Sequence, residues 1–383
     1  MDAFSIADAS APPARGGLPA RPLTILSVAA PWGPVGPDAT GGAEQILHLI
    51  DRALVRAGHR SLVVACAGSQ PAGTLVPVPW TAFGTGPGPR AATARAVRAA
   101  IAEILAREPV DLVHMHGQDF WDHLPPAGLP VLATLPLPLA WYPAAALRPR
   151  RPRTWLHGVS EAQHRSRPPG VRLLPPIPNG VDLDAFAVAG RKRGYALHLG
   201  RICPEKGTAI ALRAAARAGT PMFVAGPLSE WEPHRAYFEG EVAPLLGPSR
   251  RFVGPVGLAR KRRLLAGARC LVLPALAAET SSLVAMEALA CGTPVVAFPA
   301  GALAENIEHG RTGFLVRTEA EMAQAIGAAA TLDPEACRRA ARTRFDAARM
   351  TQAYLGLYAH LAQIRPGARP RAPAVLAAAA PAH

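Results

Sequence analysis

Short apolar runs alternate with amphipathic or alanine-rich stretches of helical length along almost the whole chain. In the first half, runs at 23–29, 60–67, 110–114, 131–135 and 154–159 predict strands. Between them, the stretch 41–57, stopped by Gly58, and the stretch 91–107 predict helices. The strand runs are apolar throughout rather than alternating, as in a parallel sheet covered on both faces. The segment Ile177-Pro-Asn-Gly-Val-Asp182 interrupts the pattern, which then starts again. Strands are expected at 195–200, 221–225, 251–253, 270–273, 294–297 and 313–316, and helices at 207–218 and 258–266. A last helix around 350–364 follows this second series and is expected to cross back to the first half.

The predicted fold class is α/β: two Rossmann-like, doubly wound domains facing across a cleft. The expected division is a disordered tail at 1–20, an N-terminal domain at 21–177, a C-terminal domain at 178–349, the returning helix at 350–365 and a disordered tail at 366–383. In such a fold the loops at the C-terminal ends of the strands converge on the cleft, where ligands bind.

Composition narrows the classes. With 383 residues, half of them hydrophobic, the chain can build more than one core. No run approaches the roughly twenty apolar residues of a membrane span. The N-terminus has an early acid and no apolar h-region, so no secretory signal is expected and a cytoplasmic location is the default. The five cysteines form no CxxC or CxxH pair, so no metal is expected, and Cys66 and Cys270 read as buried reduced thiols. The formal charge of +14 favours anionic partners. The clusters Arg148–Arg153, Arg191–Arg193 and Arg260–Arg263 read as solvated faces. They lack interleaved aromatics, so nucleic acid is not an expected partner. The first of them offers peripheral contact with an anionic membrane.

Candidate chemistry concentrates in residues 270–298, CLVLPALAAETSSLVAMEALACGTPVVAF. Glu279 and Glu287 flank Ser281-Ser282-Leu283, which opens a short apolar helix after a strand. A helix N-terminus presents unpaired N–H groups and suits a phosphate. Carboxylates before and inside that helix suit the hydroxyls of an attached sugar. Arg201 and Lys206 sit in a loop after another strand, in His198-Leu-Gly-Arg-Ile-Cys-Pro-Glu-Lys-Gly207, and suit phosphate by a planar fork and a point charge. Gly41 and Gly42 follow the first strand and let backbone approach a ligand.

These stretches, with Phe252-Val-Gly-Pro-Val256, Gly310-Arg-Thr-Gly-Phe-Leu315 and His157-Gly-Val-Ser-Glu161, resemble glycosyltransferase family 4. The resemblance runs from about 21 to 360 and is more specific in the second half. It implies a retaining GT-B glycosyltransferase using a nucleotide-sugar donor, a UDP-sugar by family frequency, without a metal or other cofactor. It implies that Arg201 and Lys206 hold the departing phosphates, that Glu279 lies by the sugar hydroxyls and that Glu287 holds the ribose. Ser281, Ser282 and Leu283 then offer amides to the phosphates, with Gly41 and Gly42 facing them across the cleft. Val253 lies by the base through backbone contacts. The acceptor, a small molecule, glycan or lipid-linked hydroxyl, is set by the first domain.

One position departs from the family. Where relatives carry a histidine after the fourth strand run, this chain reads Ala133-Thr-Leu-Pro136. His114 and His116 are the nearest substitutes, with His116 the candidate for a catalytic role and a structural place at the sheet end the competing reading. Trp141 and Tyr142 suit either an acceptor ring or the core. The alternatives kept are a nucleotide-sugar epimerase on the same scaffold and a donor-binding paralogue with weak or no catalysis. An oxidoreductase ranks last, because no strand run is followed by G-x-G-x-x-G.

Overall fold

A computed structural model describes residues 21–80, 87–188 and 190–363. The tails expected at 1–20 and 366–383 fall outside the described residues. The first sheet contains β1 (Thr24–Val28), β2 (Arg60–Cys66), β3 (Thr74–Val78), β4 (Leu112–Met115), β5 (Val131–Thr134) and β6 (Thr154–His157). The second contains β7 (Ala196–Leu199), β8 (Met222–Ala225), β9 (Arg250–Phe252), β10 (Cys270–Leu273), β11 (Val295–Ala297) and β12 (Gly313–Leu315).

The strand orders are β3-β2-β1-β4-β5-β6 and β12-β11-β10-β7-β8-β9, and every neighbouring pair is parallel. Renumbered within its own half, the second order is the first one again. Both are doubly wound sheets of the 3-2-1-4-5-6 type. Central strands such as Leu62–Cys66 and Cys270–Leu273 are buried along their whole length, which explains their unbroken apolar sequence.

Strand β3 has no counterpart in the sequence reading. It contains Pro77, and a proline is tolerated in a sheet where no second neighbour needs its missing N–H. β3 occupies that place, at the edge of the first sheet.

The last helix, Ala347–Gln363, packs on the first sheet and on the helix Gly42–Arg56. Its Met350, Tyr354, Leu357, Tyr358 and Leu361 share a core with Leu23, Ile25, Ile46, Leu54, Leu112 and Leu132. The chain therefore passes between the halves twice. The two passages run side by side: Val181 N–H donates to the Phe345 carbonyl (2.8 Å), and Ala347 N–H to the Val181 carbonyl (3.0 Å). A Cβ on Gly180 would stand 2.8 Å from the Ala347 backbone, so the crossing needs glycine there.

Among the described residues no helix is long and apolar enough to cross a membrane. Three of the four arginines at 148–153 bind loop carbonyls, and Arg150 is exposed. Arg148 donates to the Pro169 carbonyl, Arg151 to the carbonyls of Pro125, Pro126 and Leu129, and Arg153 to that of Gly128.

Candidate active site

The second sheet positions a cationic loop. After β7 the chain passes through Arg201 and a tight turn, Pro204–Lys206, before the helix Thr208–Arg217. Arg201 is exposed and forms no ion pair among the described residues. Lys206 Nζ lies 2.5 Å from Glu279 Oε1. Behind the loop, His198 donates from Nδ1 to the Val272 carbonyl (2.8 Å), and its Nε2 faces the Thr208 hydroxyl (3.1 Å). Burial holds the His198 ring near pKa 4, so it stands neutral beneath the cations.

Glu279 is fixed by its backbone. Its carbonyl accepts the Ala302 amide (2.8 Å), beside Gly301 at φ +59°. A Cβ on Gly301 would come within 2.3 Å of that carbonyl. The next hydroxyl, Thr280 Oγ1, donates across the cleft to the Pro136 carbonyl (2.9 Å). Pro136, the position where the family pattern has histidine, thus stands against the loop that carries Glu279.

Ser282 caps the helix Leu283–Ala290 in the left-handed region, φ +59°, and its side chain makes no cap bond. A non-glycine residue there costs about 1–2 kcal/mol. The hydroxyls of both Ser281 and Ser282 are buried without a hydrogen-bond partner. This helix start therefore leaves its first amides and two hydroxyls to an anion. From the first domain, Gly42 closes on the same point, where a Cβ would lie 3.3 Å from Leu283 Cδ1. Gly41 caps its own helix with Glu44 folded back over it, and burial raises the Glu44 carboxyl pKa.

Glu287 is buried mid-helix, and its Oε1 accepts from Lys261 Nζ at 2.5 Å. Burial raises its pKa and Lys261 opposes the rise. Lys261 belongs to a cluster expected to be solvated, and the structure corrects that: the residue is 9% exposed and also lies over the Phe186 ring. The signal was present in the sequence. On the helix Leu258–Gly267, Lys261 follows Leu258 by one turn and precedes Leu265 by another, so it shares their inward face.

Val253 continues the β8–β9 pairing by donating its N–H to the Val224 carbonyl (2.9 Å). Its amide is therefore not available to a base, and only its carbonyl is left for that contact.

His116 is buried, at 2% exposure. It sits in a buried cluster at the ends of β4, β5 and β6, under the last helix. His116 Nε2 faces His114 Nδ1 (3.1 Å), and the same Nδ1 faces the Tyr358 hydroxyl (2.5 Å). Thr134 Oγ1 touches His114 Nε2 (2.8 Å), His157 Nε2 (2.7 Å) and the Tyr354 hydroxyl (3.3 Å). Burial holds His116 near pKa 3 and His157 near 4, and lowers His114 well below its ordinary value. Nothing in this environment supports His116 as a proton-transfer group, and the competing structural reading fits its partners. Tyr142 is likewise buried, its hydroxyl accepting the Leu137 amide (3.2 Å), whereas Trp141 is exposed.

Two parallel doubly wound sheets facing a shared cleft, bridged there by Thr280 and Pro136, make this a GT-B fold. Solved structures agree. The crystal structure of AviGT4, a glycosyltransferase involved in avilamycin A biosynthesis, superposes with a TM-score of 0.67 at 24% identity, covering 89% of this chain and 98% of that one. Anabaena Alr3699/HepE in complex with UDP and glucose gives 0.66 at 20% identity, covering 87% and 98%. Residues 193–331 match the family model described as glycosyl transferases group 1. That match lies within the half of the chain that holds the second sheet. A D-inositol 3-phosphate glycosyltransferase of Mycolicibacterium paratuberculosis is 34% identical over 167 residues, which is 40% of this chain and 37% of that relative. The match thus spans well under half of the curated relative's length.

Proposed function

We propose that the protein transfers a sugar from a nucleotide-sugar donor to an acceptor hydroxyl, with retention at the anomeric carbon. The observation that carries this is the convergence at one point of Lys206 with Glu279, two unpartnered serine hydroxyls and Gly42 of the opposite domain. As the glycosidic bond breaks, negative charge grows on the departing diphosphate. In this reading Arg201, Lys206 and the amides at Leu283 receive it, which is where electrostatic stabilisation acts. Cationic side chains and a helix terminus take the part that a divalent ion plays in other transferases.

Two carboxylates about 5 Å apart would suit a double displacement through a covalent intermediate. Here neither is free for it. Glu279 is paired with Lys206, and Glu287 is buried against Lys261. The reading that fits is a front-face route, in which the departing phosphate helps deprotonate the acceptor. Glu279 steadies the sugar hydroxyls, and the second oxygen of Glu287 holds the ribose. Closure of the two domains through Thr280 and Pro136 excludes water and so suppresses hydrolysis.

A UDP-sugar donor draws support from HepE, which holds UDP and glucose on the same fold. Inositol phosphates are the first acceptors to try, because the curated relative is a D-inositol 3-phosphate glycosyltransferase. The test is a thermal-shift screen of nucleotide sugars followed by an assay of nucleoside diphosphate release, with and without acceptors. Release from no donor under any condition would sink the transferase reading.

A further inference from the structure

A second cluster of reactive side chains lies just behind the cationic loop, and the proposed transfer chemistry does not use it. Cys203 and Glu205 stand between Arg201 and Lys206, and His234 approaches from the helix Glu232–Tyr237. The thiol sulfur, one carboxylate oxygen and one ring nitrogen all lie within 4.8 Å of one another. Cys203 and His234 are buried, at 0% and 3% exposure. Two buried atoms in the group have no hydrogen-bond partner, Glu205 Oε2 and His234 Nδ1. Leaving such atoms unpaired costs about 1–3 kcal/mol each, so their place in a buried cluster calls for a ligand.

We propose that Cys203, Glu205 and His234 bind a zinc ion, with a fourth position open to water. A thiolate, an imidazole and a carboxylate are a donor set that suits zinc and disfavours magnesium or calcium, which take oxygen ligands. Tetrahedral bonds of about 2.0–2.3 Å place ligand atoms roughly 3.5 Å apart. The three ligand atoms, all within 4.8 Å of one another, are gathered near that separation. The backbone is already braced, because the Glu205 carbonyl accepts the Leu276 amide (2.8 Å).

The site has a structural consequence. Two of its ligands lie between the two cations of the donor loop, and the third comes from a separate helix. Zinc would pin that loop to the helix Glu232–Tyr237 and so fix where Arg201 and Lys206 point. The ion is a brace behind the loop, not a participant in sugar transfer. Because the Cys203 thiol must lose its proton on binding, affinity should rise with pH.

The experiment uses the full chain with any affinity tag removed. Metal content after dialysis against zinc is measured, together with the absorption spectrum after loading with cobalt. One zinc per chain and a thiolate-to-cobalt charge-transfer band are expected. Cys203→Ser should abolish the band. His234→Gln should weaken zinc by more than the roughly 10–100-fold that loss of an outer-shell partner typically costs. Should those variants fold poorly, alkylation of the wild-type protein decides: zinc should shield Cys203 from iodoacetamide, as read by peptide mass. Binding of no zinc at micromolar concentration, or undiminished alkylation of Cys203 in the zinc-loaded protein, would overturn the proposal. Neither result bears on donor binding, which is read separately with UDP.

Discussion

Lys206 Nζ and Glu279 Oε1 stand 2.5 Å apart at the mouth of the helix Leu283–Ala290, joining the loop after β7 to the loop after β10. Their side chains are 29% and 15% exposed, so the pair is reachable from the cleft yet partly shielded from water. A diphosphate bound there, as proposed, would meet a cation whose position is already set by its partner.

Removing that cation should cost donor affinity. A hydrogen bond to a charged group is worth about 1.5–3 kcal/mol, so Lys206→Ala should weaken UDP binding roughly 10–150-fold. Isothermal titration reads it directly. Affinity equal to wild type in both Lys206→Ala and Arg201→Ala would remove these residues from the phosphate site.

The Glu287–Lys261 pair makes a different prediction. Deleting one member of a buried pair strands the other charge, at about 3–5 kcal/mol. Lys261→Met should therefore destabilise strongly, as seen in urea unfolding. The double variant Lys261→Met, Glu287→Leu should recover much of that loss. It should not recover UDP binding, because the oxygen assigned to the ribose is gone. A fully stable Lys261→Met protein would contradict the buried pair.

The histidine cluster sets an acid limit. His116 and His157 titrate near 3 and 4 in the folded protein, and His114 well below its ordinary value, against about 6.5 unfolded. Between those values the unfolded chain binds more protons than the folded one. Stability is thus fully present above about pH 6.5 and falls on acidification toward pH 4, by at most about 1.4 kcal/mol per pH unit per histidine. Melting temperatures from pH 7 to pH 4.5 should show this slope, shallower in His157→Gln. A flat profile would mean that the cluster is open to water. Within the same cluster, Tyr358→Phe removes the hydroxyl that faces His114 and should cost about 1–3 kcal/mol.

Pro136 tests the opposite wall. Its carbonyl holds Thr280 across the cleft, while its side chain offers no proton-transfer group. Pro136→His should raise transferase turnover with UDP affinity unchanged. A fall in turnover would indicate that the proline geometry is itself required for closure.

Much of the fold was legible because parallel strands buried on both faces print unbroken apolar runs, as at Leu62–Cys66 and Cys270–Leu273. What the pattern hid has physical causes. Pro77 masked β3 because edge pairing tolerates what a central strand does not. The helices Glu319–Ala328 and Pro334–Arg344 were not read, since alanine gives little periodic contrast and the second carries four arginines. In the site, Glu279, Lys206 and the serines could be named from local motifs. Their mutual pairing, the burial of Lys261 and the bridge from Thr280 to Pro136 depend on residues far apart in sequence. The meeting of Cys203 and Glu205 with His234 was equally invisible, since no local spacing announces it.

The double passage between the halves has a consequence for anyone who wishes to cut or splice this molecule. The first sheet's core is completed by the helix Ala347–Gln363, so the N-terminal half is interrupted in sequence and the second sheet is an insert within it. Expressing 21–177 alone would leave Tyr354 and Tyr358 missing from above β4, with three buried histidines opened to solvent. A grafted donor half must enter between Gly180 and Ala347 as a cassette, with both ends supplied by the host.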